Sequence, residues 1–581
     1  MEQVGNVKLI DFEETLVRDL GKFHMKSLGP LGGRLLPTGR KNVQWSIMLK
    51  GVRMRNLVIN LQAVMLLAAY MLLCSCSDKD NNVSERSEEP DKSIVILFES
   101  DSHCELSGYP KLAGLRDAIN RSDTARAGVV CCGDFIQGGA AGSISHGAYI
   151  VDVMQSVGYD VITLGNHDFE YGGANMMTQL KRLGTPVVCA NFFMHGESAP
   201  VYPAYTIRQY GGKRVAFIGV LTPETIVTQK FAFFDGEGQQ LYDLTGEGLE
   251  ELLQQIIDAA RSQGADYVVV LSHVGEQSKI ALTSHDLIRG TRGIDVVLDG
   301  HTHSVVPHEW VDNLDGKPVL VAQTGNKFKN IGKLVIQSNG ELSTSLLPTQ
   351  EIVEVSASVT QAVERVQAQV KEQASVVLCH SDYPLIALNT DKKSISATQE
   401  TAIGDLTTDA FLHFFNGADI AIHTGNSLAA DLPAGDIRKQ DLMNLVPFED
   451  QMYLIEVKGE LLLNTLVSCT KGLPDYCSYF PQCSGMKYTV HQKSDMVTDV
   501  TVFDRESGTY QPLDLEKNYK VSLGAFYSSL GFLGMLKDCK IITFNPQTTR
   551  DALEQYLTKV LNGQLGDNYR QPQGRITIVD D

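Results

Sequence analysis

The segment Val161–Gly172 constrains the fold most, because a short apolar run in it ends abruptly in polar residues. The run Val161–Leu164 has the β-branched, apolar character of a buried strand. An amide, an imidazole and two carboxylates follow at once: Asn166, His167, Asp168 and Glu170. Buried polar groups are costly unless something satisfies them. Such a cluster at a strand end therefore indicates a metal site or a catalytic site.

Short apolar runs occur on both sides of this segment, between Ile94 and Ala322, and they predict an α/β fold. The candidate strands are Ile94–Phe98, Val129–Cys132, Val161–Leu164, Pro186–Ala190, Val215–Val220, Tyr267–Leu271, Ile294–Leu298 and Val319–Ala322. Amphipathic helices such as Gly248–Arg261 lie between them. Near-continuous apolar strands alternating with helices indicate a sheet that is buried on both faces.

Five of these strands lead directly into polar residues, which we expect to converge in space. Ligand sites in α/β sheets lie beyond the carboxyl ends of the strands. Besides Asn166, the candidates offer imidazole nitrogens and carboxylate oxygens: Asp101, His103, Asp134, His273, His301 and His303. If Asp134 bridges, each of two metal ions receives four ligands, and the ions lie ~3.5–4 Å apart. This donor set suits divalent Zn, Mn, Fe or Mg and leaves the identity of the metal open.

The pattern changes near residue 350, which predicts a second domain. We assign 93–350 to the first domain, 351–378 to a linking helix with valines at 4-3-4 spacing, and 379–581 to a smaller α+β domain. In a single chain of 581 residues this organisation is ordinary.

The N-terminal segment resembles an export signal. Residues 1–53 are predicted to be a mis-called start or a non-structural extension, 54–76 a lipoprotein signal peptide, and 77–92 a charged linker. The sequence before Cys76 resembles a lipobox, which makes Cys76 the expected lipidated residue. The alternative is an uncleaved transmembrane anchor. Either interpretation places the folded chain outside the cytoplasm, tethered to a membrane, facing the periplasm or the cell surface.

Charge and cysteine content exclude some classes of function. The net charge of −19 argues against a nucleic-acid polymer as partner, because phosphate backbones favour basic surfaces. A small phosphorylated substrate remains compatible, since metal ions supply positive charge locally. No C-x-x-C pair occurs, which argues against a zinc ribbon or a thioredoxin motif. Cys477 and Cys483 are left open as either a disulfide or two thiols, and the oligomeric state is also open.

Five motifs, in order along the chain, resemble those of the calcineurin-like metallophosphoesterases: DSH at 101–103, GDFIQGG at 133–139, GNHDFEYG at 165–172, SH at 272–273 and GHTH at 300–303. With the domain that follows, they resemble the bacterial 5′-nucleotidase family, which includes cyclic phosphodiesterases and UDP-sugar hydrolases. The resemblance implies a β-sandwich flanked by helices (α/β/β/α). It implies one metal held by Asp101, His103, Asp134 and His303, and a second held by Asp134, Asn166, His273 and His301.

The resemblance also implies that His167 is a catalytic group rather than a ligand. An acid three residues later orients it, and here that acid is Glu170. The family motif reads E-F-D, whereas this chain reads D-F-E, so the acid is one methylene longer. A carboxylate bonded to one ring nitrogen keeps an imidazole protonated and aimed. We expect His167 to stabilise the transferring phosphoryl group or to protonate the leaving oxygen.

The C-terminal motifs match the family less closely. Glu400–Leu406 and Pro447–Asp450 resemble family segments, and Asp450 is a candidate substrate-binding residue. The substrate loop N-G-G-x-I-R falls at Thr424–Ala429, where Ala429 replaces the arginine that would clamp a phosphate or a ribose. Phe448 and Phe526 are either an aromatic clamp for a base or ordinary core residues.

These features predict a two-metal phosphoester hydrolase in which a metal-bridged hydroxide attacks phosphorus in line. The simplest activity is that of a 5′-nucleotidase, which splits a nucleoside 5′-monophosphate into nucleoside and phosphate. The alternatives are a 2′,3′-cyclic-nucleotide phosphodiesterase, a UDP-sugar hydrolase or a non-nucleotide phosphoesterase, which the loss of the arginine at Ala429 favours. A non-catalytic binding protein on the same scaffold is a third hypothesis, and the full ligand set argues against it.

Overall fold

The computed structural model describes residues 92–581 except 123, 236–237, 279–281, 449 and 530. The predicted extension, signal peptide, lipidated Cys76 and nearly all of the linker lie outside these residues. Among the described helices, none is both long enough and apolar enough to cross a membrane.

Two sheets make up the first part of the described chain. The strands are β1 Ser93–Glu99, β2 Ala125–Cys131, β3 Val161–Ile162, β4 Phe192–Met194, β5 Tyr205–Tyr210, β6 Lys213–Leu221, β7 Tyr242–Leu244, β8 Tyr267–His273, β9 Val296–Asp299, β10 Val305–Asp312, β11 Pro318–Thr324, β12 Asn330–Ile336 and β13 Leu342–Pro348. One sheet has the order β13-β12-β1-β2-β3, and the other has the order β10-β11-β9-β8-β6-β5. Strands β4 and β7 form a separate antiparallel pair.

The helices of this part are α1 Tyr109–Arg121, α2 Gly139–Ser145, α3 Ala148–Val157, α4 Gly173–Leu183, α5 Thr225–Thr228, α6 Lys230–Phe233, α7 Leu249–Ser262, α8 Ser284–Gly290 and α9 Ala357–Ala374. Side chains that alternate along β1 reach two different cores. Val95 and Leu97 pack against the helices, while Ile96 and Phe98 face the second sheet. On the far side of the second sheet, Leu253 of α7 belongs to a third apolar cluster. The predicted α/β/β/α sandwich is therefore confirmed.

Parallel pairing brings the site-bearing strand ends to one edge of the sandwich. Strand β1 pairs in parallel with β2, and β2 with β3. In the second sheet, β8 pairs in parallel with both β6 and β9. The carboxyl ends of each parallel set consequently lie side by side, where α/β folds place their ligands.

The sequence prediction differed from the structure at some strands. Pro186–Ala190 was predicted as a strand, but the structure has only an isolated bridge there, between Ile162 and Val187. The prediction also lacked the antiparallel strands β5, β10, β12 and β13. Strand β10 is largely exposed and β13 is partly exposed, so neither shows the continuous apolar run of a buried strand.

Helix α9 packs on the first part of the described chain. Val359, Val363 and Val366 are buried in the cluster that also contains Ile150 and Val151 of α3. The 4-3-4 valine spacing therefore reflects an apolar stripe that docks on the sandwich.

The second part carries β14 Val377–Ser381, β15 Ile420–Thr424, β16 Gly435–Arg438, β17 Gln451–Lys458, β18 Pro481–Ser484, β19 Met486–His491, β20 Met496–Asp504, β21 Thr509–Pro512, β22 Asn518–Gly524, β23 Lys540–Thr548 and β24 Ile576–Val579. Its helices are α10 Ala402–Phe414, α11 Lys439–Leu445, α12 Gly459–Thr470, α13 Ala525–Ser529 and α14 Thr549–Gln555. The main sheets have the orders β18-β15-β22-β17-β23 and β21-β20-β19-β24, so this part is a mixed α+β structure.

Candidate active site

All seven predicted ligands lie at the shared edge of the two sheets. His273 Nε2 lies 3.2 Å from Asp134 Oδ2 and 3.8 Å from Asp101 Oδ1. His303 Nε2 lies 3.4 Å from Asp101 Oδ1 and 3.1 Å from His103 Nε2.

The remaining two ligands join the same group. His301 Nδ1 lies 2.9 Å from Asn166 Oδ1, and the backbone N–H of His301 donates to Asp101 Oδ1 at 3.1 Å. Contacts of 3.8 Å or less therefore connect the whole set, which spans 200 positions of sequence.

The backbone at this edge is held in an uncommon conformation. Five of the seven residues have φ in the left-handed region, between 45° and 77°: Asp101, His103, Asp134, His301 and His303. Such a conformation costs on the order of 1 kcal/mol or more per non-glycine residue, and it clusters at functional sites. Gly165 is required by close packing, because a Cβ there would lie 2.1 Å from Asp134 Oδ1.

Asp168 holds two of the site loops together. Its Oδ1 accepts the N–H groups of Phe135 and Ile136, both at 2.9 Å. Its Oδ2 accepts the N–H groups of Asp134 at 3.0 Å and Gly165 at 2.8 Å. The carboxylate is fully occupied by backbone donors, so Asp168 supports the site and does not face a ligand.

The donor set fits divalent metal ions. Ligand atoms of Asp101, His103, Asp134 and His303 all lie within 4.8 Å of one another. His273 donates through Nδ1 to the carbonyl of Cys132 at 2.6 Å, and its buried Nε2, 3.2 Å from Asp134 Oδ2, makes no hydrogen bond among the described residues. A lone pair is thereby directed at the cluster, as in metal-binding histidines whose other nitrogen is fixed.

His167 and Glu170 form a hydrogen-bonded pair beside this cluster. His167 Nδ1 lies 3.0 Å from Glu170 Oε2, and its ring centroid lies 5.4 Å from that of His103. Burial by itself would lower the pKa of His167, but the Asp134 charge and the Glu170 hydrogen bond raise the pKa to about 9. A raised pKa favours the protonated imidazole, which is the form that can donate a proton.

Sequence reasoning missed several residues that hold the site. Glu224 Oε2 lies 3.4 Å from His301 Nε2, and Gln229 Nε2 donates to Glu170 Oε2 at 3.0 Å. Asn326 contacts the outer nitrogen of His303, and Gln137, which belongs to the GDFIQGG motif quoted above, contacts that of His103. Glu224 follows the end of β6. The rule that ligand sites lie beyond the carboxyl ends of strands would therefore have identified it. Gln229 has no comparable signal.

Two family models match this chain. Residues 94–305 match the calcineurin-like phosphoesterase family, and residues 384–538 match the 5′-nucleotidase C-terminal domain. The chain therefore contains a region similar to calcineurin-like phosphoesterases, followed by a region similar to the 5′-nucleotidase C-terminal domain. We refer to the two matched regions as the phosphoesterase domain and the nucleotidase C-terminal domain. Calcineurin-like metallophosphoesterases bind divalent metals, which agrees with the donor set described above.

Individual relatives are distant. The trifunctional nucleotide phosphoesterase protein YfkN of Bacillus subtilis is 22% identical over 486 residues, which cover 75% of this chain and 32% of that protein. This chain therefore spans about a third of the length of that relative. A 5′-nucleotidase of Rattus norvegicus is 23% identical, covering 74% of this chain and 78% of that protein.

A solved structure shares the two-domain fold. The putative 5′-nucleotidase from Staphylococcus aureus, in complex with alpha-ketoglutarate, superimposes with a TM-score of 0.58 at 19% identity. The match covers 84% of this chain and all of that chain. At this level of identity the similarity establishes the fold.

Phe448 and Phe526 of the nucleotidase C-terminal domain are not core residues. Their exposed fractions are 65% and 45%, respectively. Asp450 accepts the backbone N–H of Phe526 through Oδ1 at 2.7 Å, so the segments that carry the two rings are adjacent. Burial raises the pKa of Asp450 to about 8, against the effect of that hydrogen bond. Asp450 therefore supports Phe526, and its buried Oδ2 has no hydrogen-bond partner among the described residues.

The predicted substrate loop, Thr424–Ala429, is hydrogen-bonded to two tyrosines of neighbouring segments. Ser427 is hydrogen-bonded to Tyr527, and Asn426 to Tyr476. Ala429, at the position of the family arginine, is exposed. The loop thus presents no cation of its own at this position.

The Glu400–Leu406 motif has a structural role. Glu400 accepts the N–H groups of Arg575 and Ile576 at 2.9–3.0 Å, and Asp405 accepts that of Gln573 at 2.9 Å. These acids fasten the last strand, β24, to helix α10. Cys477 and Cys483, left open by the sequence, are both free buried thiols in the structure.

Proposed function

We propose that this chain is a two-metal phosphoester hydrolase whose main substrates are nucleoside 5′-monophosphates. The observation that carries the proposal is the convergence of seven nitrogen and oxygen donors at one sheet edge, beside the hydrogen-bonded pair His167–Glu170. Asp101, His103, Asp134 and His303 would hold one ion, and Asp134, Asn166, His273 and His301 would hold the second. When bound, the two ions would supply positive charge and Lewis acidity toward a phosphoryl group.

The residues of the chain perform three tasks in this proposal. Asp134 lies between the two ligand groups and also accepts the backbone N–H of His167 at 2.8 Å, which fixes the catalytic turn against the metal site. His167 holds its proton on the ring, with Nδ1 engaged by Glu170, and is available to protonate the leaving oxygen. Phe448 and Phe526 present exposed faces on which a nucleobase can stack.

A second candidate activity keeps this site and changes the substrate. Ala429 offers no guanidinium for a terminal phosphate or a ribose. The missing guanidinium favours a cyclic phosphodiester, a nucleotide sugar or a non-nucleotide ester as the substrate, rather than a 5′-monophosphate. Metal identity also belongs to the proposal, and Zn, Mn, Fe and Mg all suit the donors.

The proposed location depends on sequence alone. Residues 54–76 resemble a lipoprotein signal peptide, and lipidation at Cys76 would anchor the chain to a membrane outside the cytoplasm. Relatives include a cell wall protein of Listeria monocytogenes, which supports an extracytoplasmic location.

A substrate panel tests the proposal. The purified protein is assayed with Mn, Zn or Mg on an aryl phosphate, nucleoside 5′-monophosphates, 2′,3′-cyclic nucleotides and UDP-sugars. We expect turnover of the aryl phosphate and the highest kcat/KM on a 5′-monophosphate. A preference for cyclic nucleotides or UDP-sugars would instead establish the second candidate. Absence of turnover on every ester, with less than one equivalent of bound metal, would contradict both.

A further inference from the structure

We propose that Gln229 and Gln451 are positioning residues that fix Glu170 from its two ends, one from each domain. Gln229 holds the carboxylate, and Gln451 holds the backbone carbonyl. The inference rests on the proposed function, because it assigns these amides an effect on catalysis through the pair His167–Glu170. Neither residue belongs to the motifs that identify the family.

The carboxylate of Glu170 is held by two donors on the same oxygen. His167 Nδ1 and Gln229 Nε2 both lie 3.0 Å from Oε2. Glu has one more rotatable bond than Asp, so an unrestrained Glu170 would spread over more conformers. Gln229 is only 4% exposed, and its hydrogen bond to Oε2 restricts this freedom. Glu170 is one methylene longer than the aspartate of the family motif. The hydrogen bond from Gln229 compensates for this additional length by restraining the carboxylate.

The position of Gln229 is itself fixed by packing. Gln229 directly precedes helix α6, in which Phe233 is fully buried. The ring of Phe233 lies 5.2 Å from that of Phe169, and Phe192 contacts both rings. Phe169 belongs to the short 3₁₀ turn Asn166–Phe169 that carries His167. The same packing unit therefore supports the imidazole and the amide that orients its partner.

The second amide comes from the nucleotidase C-terminal domain. Gln451 Nε2 donates to the backbone carbonyl of Glu170 at 2.6 Å, across 281 positions of sequence. Gln451 is the first residue of β17 and is 3% exposed. It follows Asp450, which holds the backbone of Phe526. A single hydrogen bond thus joins the segment that carries the aromatic rings to the turn that carries the catalytic pair.

Kinetics of methionine variants test the inference. Gln229→Met and Gln451→Met keep the approximate shape of the side chain and remove the donor. Gln240→Met is the control, because the Gln240 amide contacts Tyr242 and Asp243 instead. On an aryl phosphate we expect each test variant to lower kcat roughly tenfold, the effect of one lost hydrogen bond, with KM within about twofold. The control is expected to match the wild type.

A His167→Ala background separates positioning from a general structural effect. If both amides act through His167, Gln229→Met and Gln451→Met will cause no further loss once the imidazole is absent. Losses of the same size in both backgrounds would overturn the inference, and so would changes below about twofold in the wild-type background.

Thermal unfolding keeps the inference testable if the protein hydrolyses none of the esters. Gln229→Met and Glu170→Ala are compared singly and together. Residues in contact are expected to give non-additive shifts in the unfolding midpoint. Additive shifts would overturn the contact itself, whereas non-additive shifts in an inactive protein would mean that only the proposed function has failed.

Discussion

The proposed metal site and the region around Phe448 and Phe526 are built in opposite ways. In the phosphoesterase domain, five of the seven predicted ligands are buried, and the polar groups are held by other site residues or by backbone donors, as the four N–H groups on Asp168 illustrate. In the nucleotidase C-terminal domain, Phe448 and Phe526 are exposed and Ala429 offers no charge. Under the proposed function, this difference would separate the chemistry, which the fold fixes, from the selectivity, which would depend on a few surface side chains.

The largest expected effect comes from Asp134→Ala, which tests the proposed metal site of the phosphoesterase domain. Asp134 contacts His273, His103 and the backbone of His167. Its loss removes the carboxylate between the two ligand groups, so we expect kcat/KM to fall by roughly 10³-fold or more on every ester. Bound metal, measured by elemental analysis, is expected to fall below the level of the wild type.

The control for Asp134→Ala is Asp243→Ala, which removes a more exposed carboxylate that pairs with His195. This variant is expected to keep full activity and metal content. If Asp134→Ala lost nucleotide turnover but kept aryl phosphate turnover, chemistry and selectivity would not be separated between the domains.

An intermediate effect is expected from Phe448→Ala and Phe526→Ala, which test the two exposed rings of the nucleotidase C-terminal domain. Stacking of a base on an aromatic ring contributes about 1–3 kcal/mol, so each variant is expected to raise KM for a nucleotide by roughly tenfold. Turnover of an aryl phosphate is expected to stay within about twofold of the wild type, because the metal site is untouched.

Phe503→Ala is the matched control, since Phe503 is a 40% exposed ring on β20 that packs on Tyr510. It is expected to leave both substrates unaffected. An equal loss on nucleotide and aryl phosphate in the Phe448 or Phe526 variants would show that these rings act on the metal site, which would remove the contrast.

The same contrast explains what the sequence revealed. The ligands at strand ends were predictable because parallel strands align their carboxyl ends whatever their separation in sequence. Gln229 and Gln451 were not predictable, since a lone glutamine between two short helices or at a strand start carries no periodic signal. Asp450 was predicted to bind substrate, and only the fold shows that its carboxylate holds the N–H of Phe526.

The smallest effect concerns His423, which departs from the rule that buried polar groups are held by neighbours. It is 1% exposed at the end of β15, and neither ring nitrogen has a hydrogen-bond partner among the described residues. Its ring packs edge-on against Phe411 and Tyr527. Burial lowers the pKa of His423 from 6.5 to about 3, so the folded state holds the neutral ring.

This shift sets the sign of a pH effect on stability. Between about pH 6.5 and pH 3 the unfolded chain binds a proton at His423 that the folded chain does not. The free energy of unfolding therefore decreases as pH falls through this window, by up to about 1.4 kcal/mol per pH unit from this group. His423→Phe removes the titrating group and keeps the aromatic contacts, so its unfolding free energy should fall less steeply from pH 6 to pH 4 in denaturant titrations. His308→Phe, at an exposed position of β10, is expected to keep the wild-type slope.

Parallel slopes for the wild type and His423→Phe would mean that the ring is protonated in the fold. His423 would then have a polar partner, and it would no longer depart from the rule that buried polar groups are held by neighbours.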